Sequence, residues 1–237
     1  MRIAVLSALF FGIGMLAFLG CGDNSPAAPN SNGGSGGAAG QDADVPDVDL
    51  GDVDPGLEGG GGNTQKPYPP APYGYVAGTV IQNYKWLGWT NPAAVNYTGD
   101  LEPIELADFY DPDGSKGIKA IFINASARWC SVCKAEQKTI ANQKKVYGPK
   151  GVVFLETLFE DANQYPATPN DLAAWTKTYQ IDWIAVVDPN NKLSPFFDTT
   201  ATPMNMIIDA KTMTIATIVT GLPDATWWGT YLDPLTE

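Results

Sequence analysis

The stretch IKAIFINASARWCSVCKAE, residues 118–136, places an apolar run directly before two cysteines that are separated by two residues. The run at 118–126 is strand-like, and the residues after the cysteines favour a helix that Gly148 and Pro149 end. The stretch therefore predicts a strand, a turn that carries the cysteines, and a helix. This unit is the centre of the predicted fold.

The alternation of strands and helices continues toward the C-terminus. Apolar runs predict strands at 151–159 and 183–188 and on both sides of a turn at 209–212, with a brief helix or turn at 191–197. Helices are predicted at 168–180, with Asn170 or Asp171 capping the first turn, and at 224–235. Together these elements predict an α/β fold, with a mixed central sheet and helices on both faces. With 237 residues and 44% hydrophobic content, the chain can bury a sizeable core.

Residues 1–20 have the order of an export signal: one positive charge at Arg2, an apolar run, and the small residue Gly20 before Cys21. An apolar helix of about seventeen residues would span about 26 Å, less than the roughly 30 Å hydrocarbon core, so a retained anchor is the second interpretation. The ending FLGC resembles a bacterial lipoprotein lipobox, with Phe18 where that motif usually has Leu. This resemblance implies a lipid on Cys21 and a place in the bacterial cell envelope, attached to the membrane.

Residues 21–72 are rich in Gly, Asp and Pro and hold too little apolar surface to offset the entropy of ordering. We predict a flexible linker there, with a reach of roughly 40 Å for about fifty residues. A globular domain is predicted from residue 73 to residue 237. The net charge of -12 argues against nucleic acid as a partner.

Three roles are open to Cys130 and Cys133. A zinc site needs about four ligands and usually two cysteine pairs or added histidine, whereas this chain has one such pair and no histidine. A structural disulfide is compatible with export, but so short a loop removes little entropy from the unfolded chain. A cysteine at the first turn of a helix is stabilised as a thiolate, and this favours redox chemistry.

The predicted turn gives each cysteine a different part in that chemistry. Cys130, exposed at the turn, is the predicted nucleophile, and Cys133, inside the helix, resolves the mixed disulfide. Glu136 lies one helical turn after Cys133 and is a candidate proton acceptor, the alternative being an exposed helix acid. Trp129 and Arg128 either flank the turn functionally or serve packing and the surface.

The motif AxWCxxCxxE after a strand, with Asp188, Thr202-Pro203 and Ile207-Ile208-Asp209 further on, resembles the TlpA/ResA-like branch of the thioredoxin-like family. The resemblance covers about residues 74–237. It implies that Pro203 is a cis proline beside the disulfide, in a loop where Thr202, Pro203 and Trp129 contact the substrate chain. Many thioredoxins have a buried acid six residues before the first cysteine, where this sequence has Asn124; this difference favours Glu136 as the proton acceptor.

The resemblance implies a membrane-tethered thiol:disulfide oxidoreductase that reduces disulfides of exported proteins, such as apocytochrome c. Such a protein needs no cofactor beyond its dithiol, and a membrane electron donor would recharge it. A thiol peroxidase is an alternative, although Ala127 stands where that chemistry has Thr or Ser. Copper delivery is weaker, because the chain has neither a CxxxC pair nor a histidine. A tethered binding module with a permanent disulfide is the non-catalytic alternative.

Overall fold

The computed structural model describes residues 66–198 and 201–237. The predicted signal at 1–20, Cys21 and nearly all of the predicted linker lie outside these residues. None of the helices in the described part of the chain is long and apolar enough to cross a membrane.

Seven strands form one mixed sheet, and three α-helices pack on it. The strands are β1 (Lys85–Trp89), β2 (Glu102–Glu105), β3 (Ala120–Ala127), β4 (Val152–Glu160), β5 (Ile184–Val187), β6 (Met204–Asp209) and β7 (Thr214–Thr220), and the helices are α1 (Ser131–Tyr147), α2 (Pro169–Tyr179) and α3 (Trp227–Thr236). Their order in the sheet is β2-β1-β5-β4-β3-β6-β7. The strands β3, β4 and β5 are mutually parallel, and the other pairs are antiparallel. The predicted mixed α/β fold is confirmed.

The central strand β3 is buried along its whole length, as expected for a strand with six others arranged on its two sides. Because side chains alternate between the faces of a sheet, Phe122 and Asn124 point to the same side. Phe122 contacts Trp228 of α3, and Asn124 bonds to Glu136 of α1. One face of β3 is therefore covered by helices.

The α2 helix covers the same face, because its Trp175 bonds to Glu156 of β4. On the opposite face of β4, Phe159 contacts Phe197, which follows a 3₁₀ turn at Ser194–Phe196. We predicted helices on both faces. The structure places the three α-helices on one face and this short turn on the other.

The strands β1 and β2 were not predicted from the sequence. They are short, and β2 contains Pro103, which has no N–H to donate to a neighbouring strand. Proline is tolerated in β2 because this strand is the edge of the sheet and pairs only with β1. An isolated four-residue strand that contains proline gives almost no period-2 signal.

The start of α2 differs from the prediction. Thr168 is the N-cap: its hydroxyl accepts a hydrogen bond from Asp171 N at 3.3 Å, and Asp171 Oδ2 accepts one from Thr168 N at 3.0 Å. Asp171 thus stabilises the first turn from inside the helix, and Asn170 is not the cap. Proline at the first helical position suits this arrangement, since its missing N–H would be unpaired there.

Candidate active site

Cys130 occupies the N-cap of α1, at the carboxyl end of β3. Its Sγ accepts a hydrogen bond from Cys133 N at 2.9 Å and is joined to Cys133 Sγ in a disulfide, with the two Cα atoms 5.3 Å apart. A sulfur at this position faces the unpaired N–H groups and the positive end of the helix. The local sequence thus builds a site that stabilises negative charge on Cys130 once the disulfide is reduced.

Both cysteines are buried, and this corrects the expectation that Cys130 is exposed at the turn. Cys130 is 3% exposed and Cys133 is fully buried. The carbonyl oxygen of Thr202 lies 3.6 Å from Cys130 Sγ and covers it. The sequence around Cys130 did not reveal this cover, because it comes from a segment 72 residues away.

The covering segment contains a cis peptide bond between Thr202 and Pro203, as the resemblance implied. Thr202 Oγ1 bonds to Ala125 O of β3 at 3.2 Å and lies 3.7 Å from Cys133 Sγ. Pro203 O accepts from Gly221 N at 2.7 Å. The loop is therefore attached to the sheet on both sides of the proline, and it presents backbone directly beside the disulfide.

The two residues before Cys130 are anchored to neighbouring elements. Trp129 is half-buried, and its Nε1 donates to Glu160 Oε2 at 2.6 Å. Arg128 forms an ion pair with Asp171 of α2. The positive charge of Arg128, two residues before Cys130, is therefore already paired with a carboxylate.

Glu136 is 1% exposed, so the alternative of an exposed helix acid is wrong. Its two carboxylate oxygens accept hydrogen bonds from the side-chain amides of Asn124 at 3.0 Å and Asn205 at 2.9 Å. Burial raises the pKa of Glu136 to about 7, although these two bonds oppose the shift. The group can therefore gain or lose a proton near neutral pH, as a general base must.

A row of polar side chains crosses the sheet beneath α1. Asn124 of β3 is paired in register with Glu156 of β4 on one side and with Asn205 of β6 on the other. Asn124 Nδ2 also bonds to Asn205 Oδ1 at 2.8 Å. Asn124 is thus not an acid, but it orients the acid Glu136.

Sequence reasoning missed Glu156 and Asn205. Glu156 is completely buried and accepts bonds on Oε1 from Trp175 Nε1 at 2.9 Å and Gln137 Nε2 at 3.1 Å. Burial raises its pKa to about 8 despite bonds that lower it, and the charge of Glu136 adds to the increase. The available signal was a charged residue inside the apolar run VVFLETLF.

Among residues 66–198 and 201–237, no group of three or more Cys, Asp, Glu or His side chains is arranged to hold a metal ion. What the site does bring together is a sulfur pair at a helix N-terminus, a backbone loop over it, and acids that titrate near neutral pH.

No family model and no curated protein matches this chain. Solved structures do. The chain is similar to a secreted thiol-disulfide isomerase from Corynebacterium glutamicum, with 12% identity, a TM-score of 0.51, and coverage of 67% of this chain and 86% of that one. It is also similar to an uncharacterized conserved protein from Geobacillus kaustophilus, with 20% identity, a TM-score of 0.52, and coverage of 68% and 82%. At these identities the likeness concerns the fold, and the fold is thioredoxin-like.

Proposed function

We propose that this protein is a thiol:disulfide oxidoreductase in which Cys130 is the nucleophile and Cys133 the resolving cysteine. The observation that carries the proposal is the position of Cys130 Sγ. This atom caps α1, accepts the N–H of Cys133 at 2.9 Å, and lies 3.6 Å from the carbonyl of Thr202, beside the cis proline Pro203. A purely structural disulfide needs neither a sulfur at the cap of a helix nor a cis proline beside it.

In the reducing direction, the Cys130 thiolate attacks one sulfur of a substrate disulfide. A bond forms between Cys130 and that sulfur, and the second substrate sulfur leaves as a thiolate. Cys133 then loses its proton to Glu136, and its thiolate attacks Cys130 Sγ. The Cys130–Cys133 bond forms, the mixed disulfide breaks, and the first substrate sulfur leaves with the electron pair. Two electrons pass from the enzyme dithiol to the substrate.

The substrate chain is proposed to bind across Trp129 and the loop at Thr202 and Pro203. Pro203 O is already bonded to Gly221, so the backbone of Thr202 is the part of this loop that faces the disulfide. An extended peptide that pairs with this backbone would place its own cysteine over Cys130. Cys130 is 3% exposed in the disulfide form, so a bound peptide has to gain access to a sulfur that the Thr202 carbonyl covers.

We further propose that the protein works as a reductant in the cell envelope, on disulfides of exported proteins such as apocytochrome c, and that a membrane electron donor recharges it. The signal-like residues 1–20 and the lipobox-like ending at Cys21 support export and lipid attachment. The TlpA/ResA-like motif supports the reducing direction. A reduction potential near -270 mV, the thioredoxin end of the known range, is expected for a reductant.

Insulin reduction by the full-length protein with dithiothreitol tests the activity. The wild type is expected to precipitate insulin far faster than dithiothreitol alone, and Cys130→Ser is expected to match dithiothreitol. Equal activity of wild type and Cys130→Ser would contradict the proposal and favour a tethered binding module. Consumption of hydrogen peroxide without insulin reduction would favour the peroxidase. A potential near -120 mV would reverse the proposed direction of electron flow.

Lipid attachment has a separate test. The full-length protein and Cys21→Ala are expressed in a bacterial host, and the membrane and soluble fractions are compared. The wild type is expected in the membrane fraction, and Cys21→Ala is expected to leave it once its leader has been removed. If cleaved Cys21→Ala stays with the membrane, the lipid anchor on this cysteine is wrong.

A further inference from the structure

Glu156 is a second acid under the disulfide, and the proposed exchange reaction gives it no part. It is completely buried in the middle of the sheet, in register with Asn124, which holds Glu136. Gln137 joins it to the cysteines: Gln137 Nε2 donates both to Glu156 Oε1, at 3.1 Å, and to the carbonyl of Cys133, at 3.4 Å. Glu156 is therefore one side chain away from the resolving cysteine.

The hydrogen bonds to Glu156 are one-sided. Trp175 and Gln137 both donate to Oε1, whereas Oε2 is buried and has no hydrogen-bond partner among the described residues. The hydroxyl of Ser126 is within hydrogen-bonding reach of the same carboxyl, and a hydrogen bond from it lowers the pKa of Glu156. The single hydroxyl proton of Ser126, however, is donated at 2.6 Å to Asn124 Oδ1, an oxygen that can only accept. An ionised Glu156 would thus leave one charged oxygen buried without a donor, which is costly.

The charged and titratable groups around Glu156 do not compensate for a negative charge. From α1 it faces Glu136, whose charge disfavours ionisation of Glu156. From α2 it faces Trp175, which is neutral, and Tyr179, whose own pKa is raised by burial and then by Glu156. The nearby cation Arg128 is paired with Asp171. A proton on Oε2 removes the charge and supplies a donor toward Ser126 Oγ, which still has lone pairs free to accept.

We propose that Glu156 is a positioning residue that stays protonated through the reaction, so that Glu136 alone carries the negative charge of the site and receives the Cys133 proton. The proposal rests on the proposed oxidoreductase function and adds a division of labour between two carboxyls. Two ionised carboxylates in one buried site would repel each other. Keeping one of them neutral leaves the other free to act as the base.

The order of proton loss is the property to measure, and it can be measured without any activity. The chain has only seven glutamates, so carbon-13 labelling of glutamate carboxyls in the full-length oxidised protein gives a spectrum simple enough to assign by substitution. In the wild type, two carboxyls are expected to titrate above pH 6. Glu136→Gln is expected to remove the lower titration, and Glu156→Gln the upper one.

Two further shifts in the titration of Glu156 distinguish a carboxyl that interacts with Glu136 and Trp175 as proposed from one with a merely structural role. In Glu136→Gln, the remaining upper titration is expected to move to lower pH, because the neighbouring charge that opposes it is gone. In Trp175→Phe, which removes one donor to Oε1, it is expected to move to higher pH. Trp175→Phe also serves as the second variant if Glu156→Gln does not fold.

The results that overturn the proposal are distinct from failure of the proposed function. If Glu156→Gln removes the lower titration, Glu156 is the base and the roles are reversed. If it removes a titration below pH 6, or none, Glu156 is not held protonated. Either result counts whether or not the protein reduces insulin. If the protein is active, the rate at which Cys133 resolves a mixed disulfide is expected to fall at alkaline pH, because an ionised Glu156 would disfavour ionisation of the base Glu136. This fall is expected to vanish in Glu156→Gln, and an unchanged fall would also contradict the proposal.

Discussion

Two buried carboxylates lie at opposite ends of β3, and each is 1% exposed. Before the strand, Asp111 accepts hydrogen bonds from the backbone N–H groups of Lys116, at 3.1 and 3.2 Å, and Ile118, at 2.9 Å. After the strand, Glu136 accepts from two side-chain amides, which belong to Asn124 and Asn205. The partners of Asp111 are at most seven residues away in sequence, whereas those of Glu136 are 12 and 69 residues away.

The difference separates a carboxylate that orders one loop from one that is held by side chains of two distant strands. Backbone N–H groups within one loop are fixed donors, and bonding them is what orders the turn at 111–117. The donors of Glu136 come from two strands and do not cancel the cost of burial, so the pKa of Glu136 rises to about 7. Burial alone therefore does not identify a functional acid. The kind of hydrogen-bond donor that the buried carboxylate has, and the element that this donor comes from, are also needed.

The largest expected effect is at the cysteine end of β3. Cys133→Ser keeps Cys130, the proposed nucleophile, but removes the proposed resolving thiol, so insulin reduction is expected to fall to the background rate. The variant is expected to accumulate a mixed disulfide between Cys130 and the substrate, visible as an added mass under non-reducing conditions. An active Cys133→Ser variant would mean that the resolving thiol comes from outside this chain.

The next effect concerns the pH dependence of folding. The unfolded Glu136 carboxyl releases its proton near pH 4.5, and the folded one keeps it until about pH 7. Between these values the unfolded state binds fewer protons, so the free energy of unfolding falls as pH rises. The fall is worth roughly 3 kcal/mol and is fully expressed above the folded pKa.

Urea unfolding of wild type and Glu136→Gln at several pH values between 4 and 8 measures this contribution. Glutamine does not ionise, so the difference between the two stability curves removes the surface acids and leaves the contribution of Glu136 together with its charge coupling to Glu156. The wild type is expected to lose stability relative to Glu136→Gln as pH rises. Parallel curves would show that burial does not raise the pKa of Glu136.

The contrast also explains which parts of the structure could be predicted from the sequence. The β3–turn–α1 unit depends on neighbouring residues, and it was predicted. The position of Cys130 at the helix start followed from the same local pattern. The cis proline beside it came from the resemblance, not from local physics.

The unpredicted parts depend on pairing between distant segments. Asn205 and Glu156 meet Asn124 only because β6 and β4 flank β3 in the sheet, an order that composition does not reveal. The burial of Cys130 under Thr202 has the same origin. The strands β1 and β2 were missed because β1 contains Gly88 and β2 contains Pro103, residues that are rare in strands, and each gains its stability from the pairing itself.

At the other end of β3, Asp111→Asn tests the structural role. Asparagine offers one neutral acceptor and turns an NH2 group toward backbone donors, so a cost of roughly 2 kcal/mol in the free energy of unfolding is expected. Urea unfolding at pH 7 measures it. Insulin reduction by the folded variant is expected to match the wild type. A large loss of activity without loss of stability would place Asp111 among the functional acids.

The smallest expected effect is at the start of α2. Asp171 bonds there to its neighbour in sequence Thr168, and it also pairs with the distant residue Arg128 beside the cysteines. Thr168→Ala removes the N-cap and is expected to cost about 1 kcal/mol in urea unfolding. The ion pair with Arg128 does not require the Thr168 hydroxyl, so the insulin reduction rate is expected to stay unchanged. If the insulin reduction rate falls together with the stability, the start of α2 positions the cysteine turn through Arg128. The local N-cap would then have a part in the site as well as in the stability of the helix.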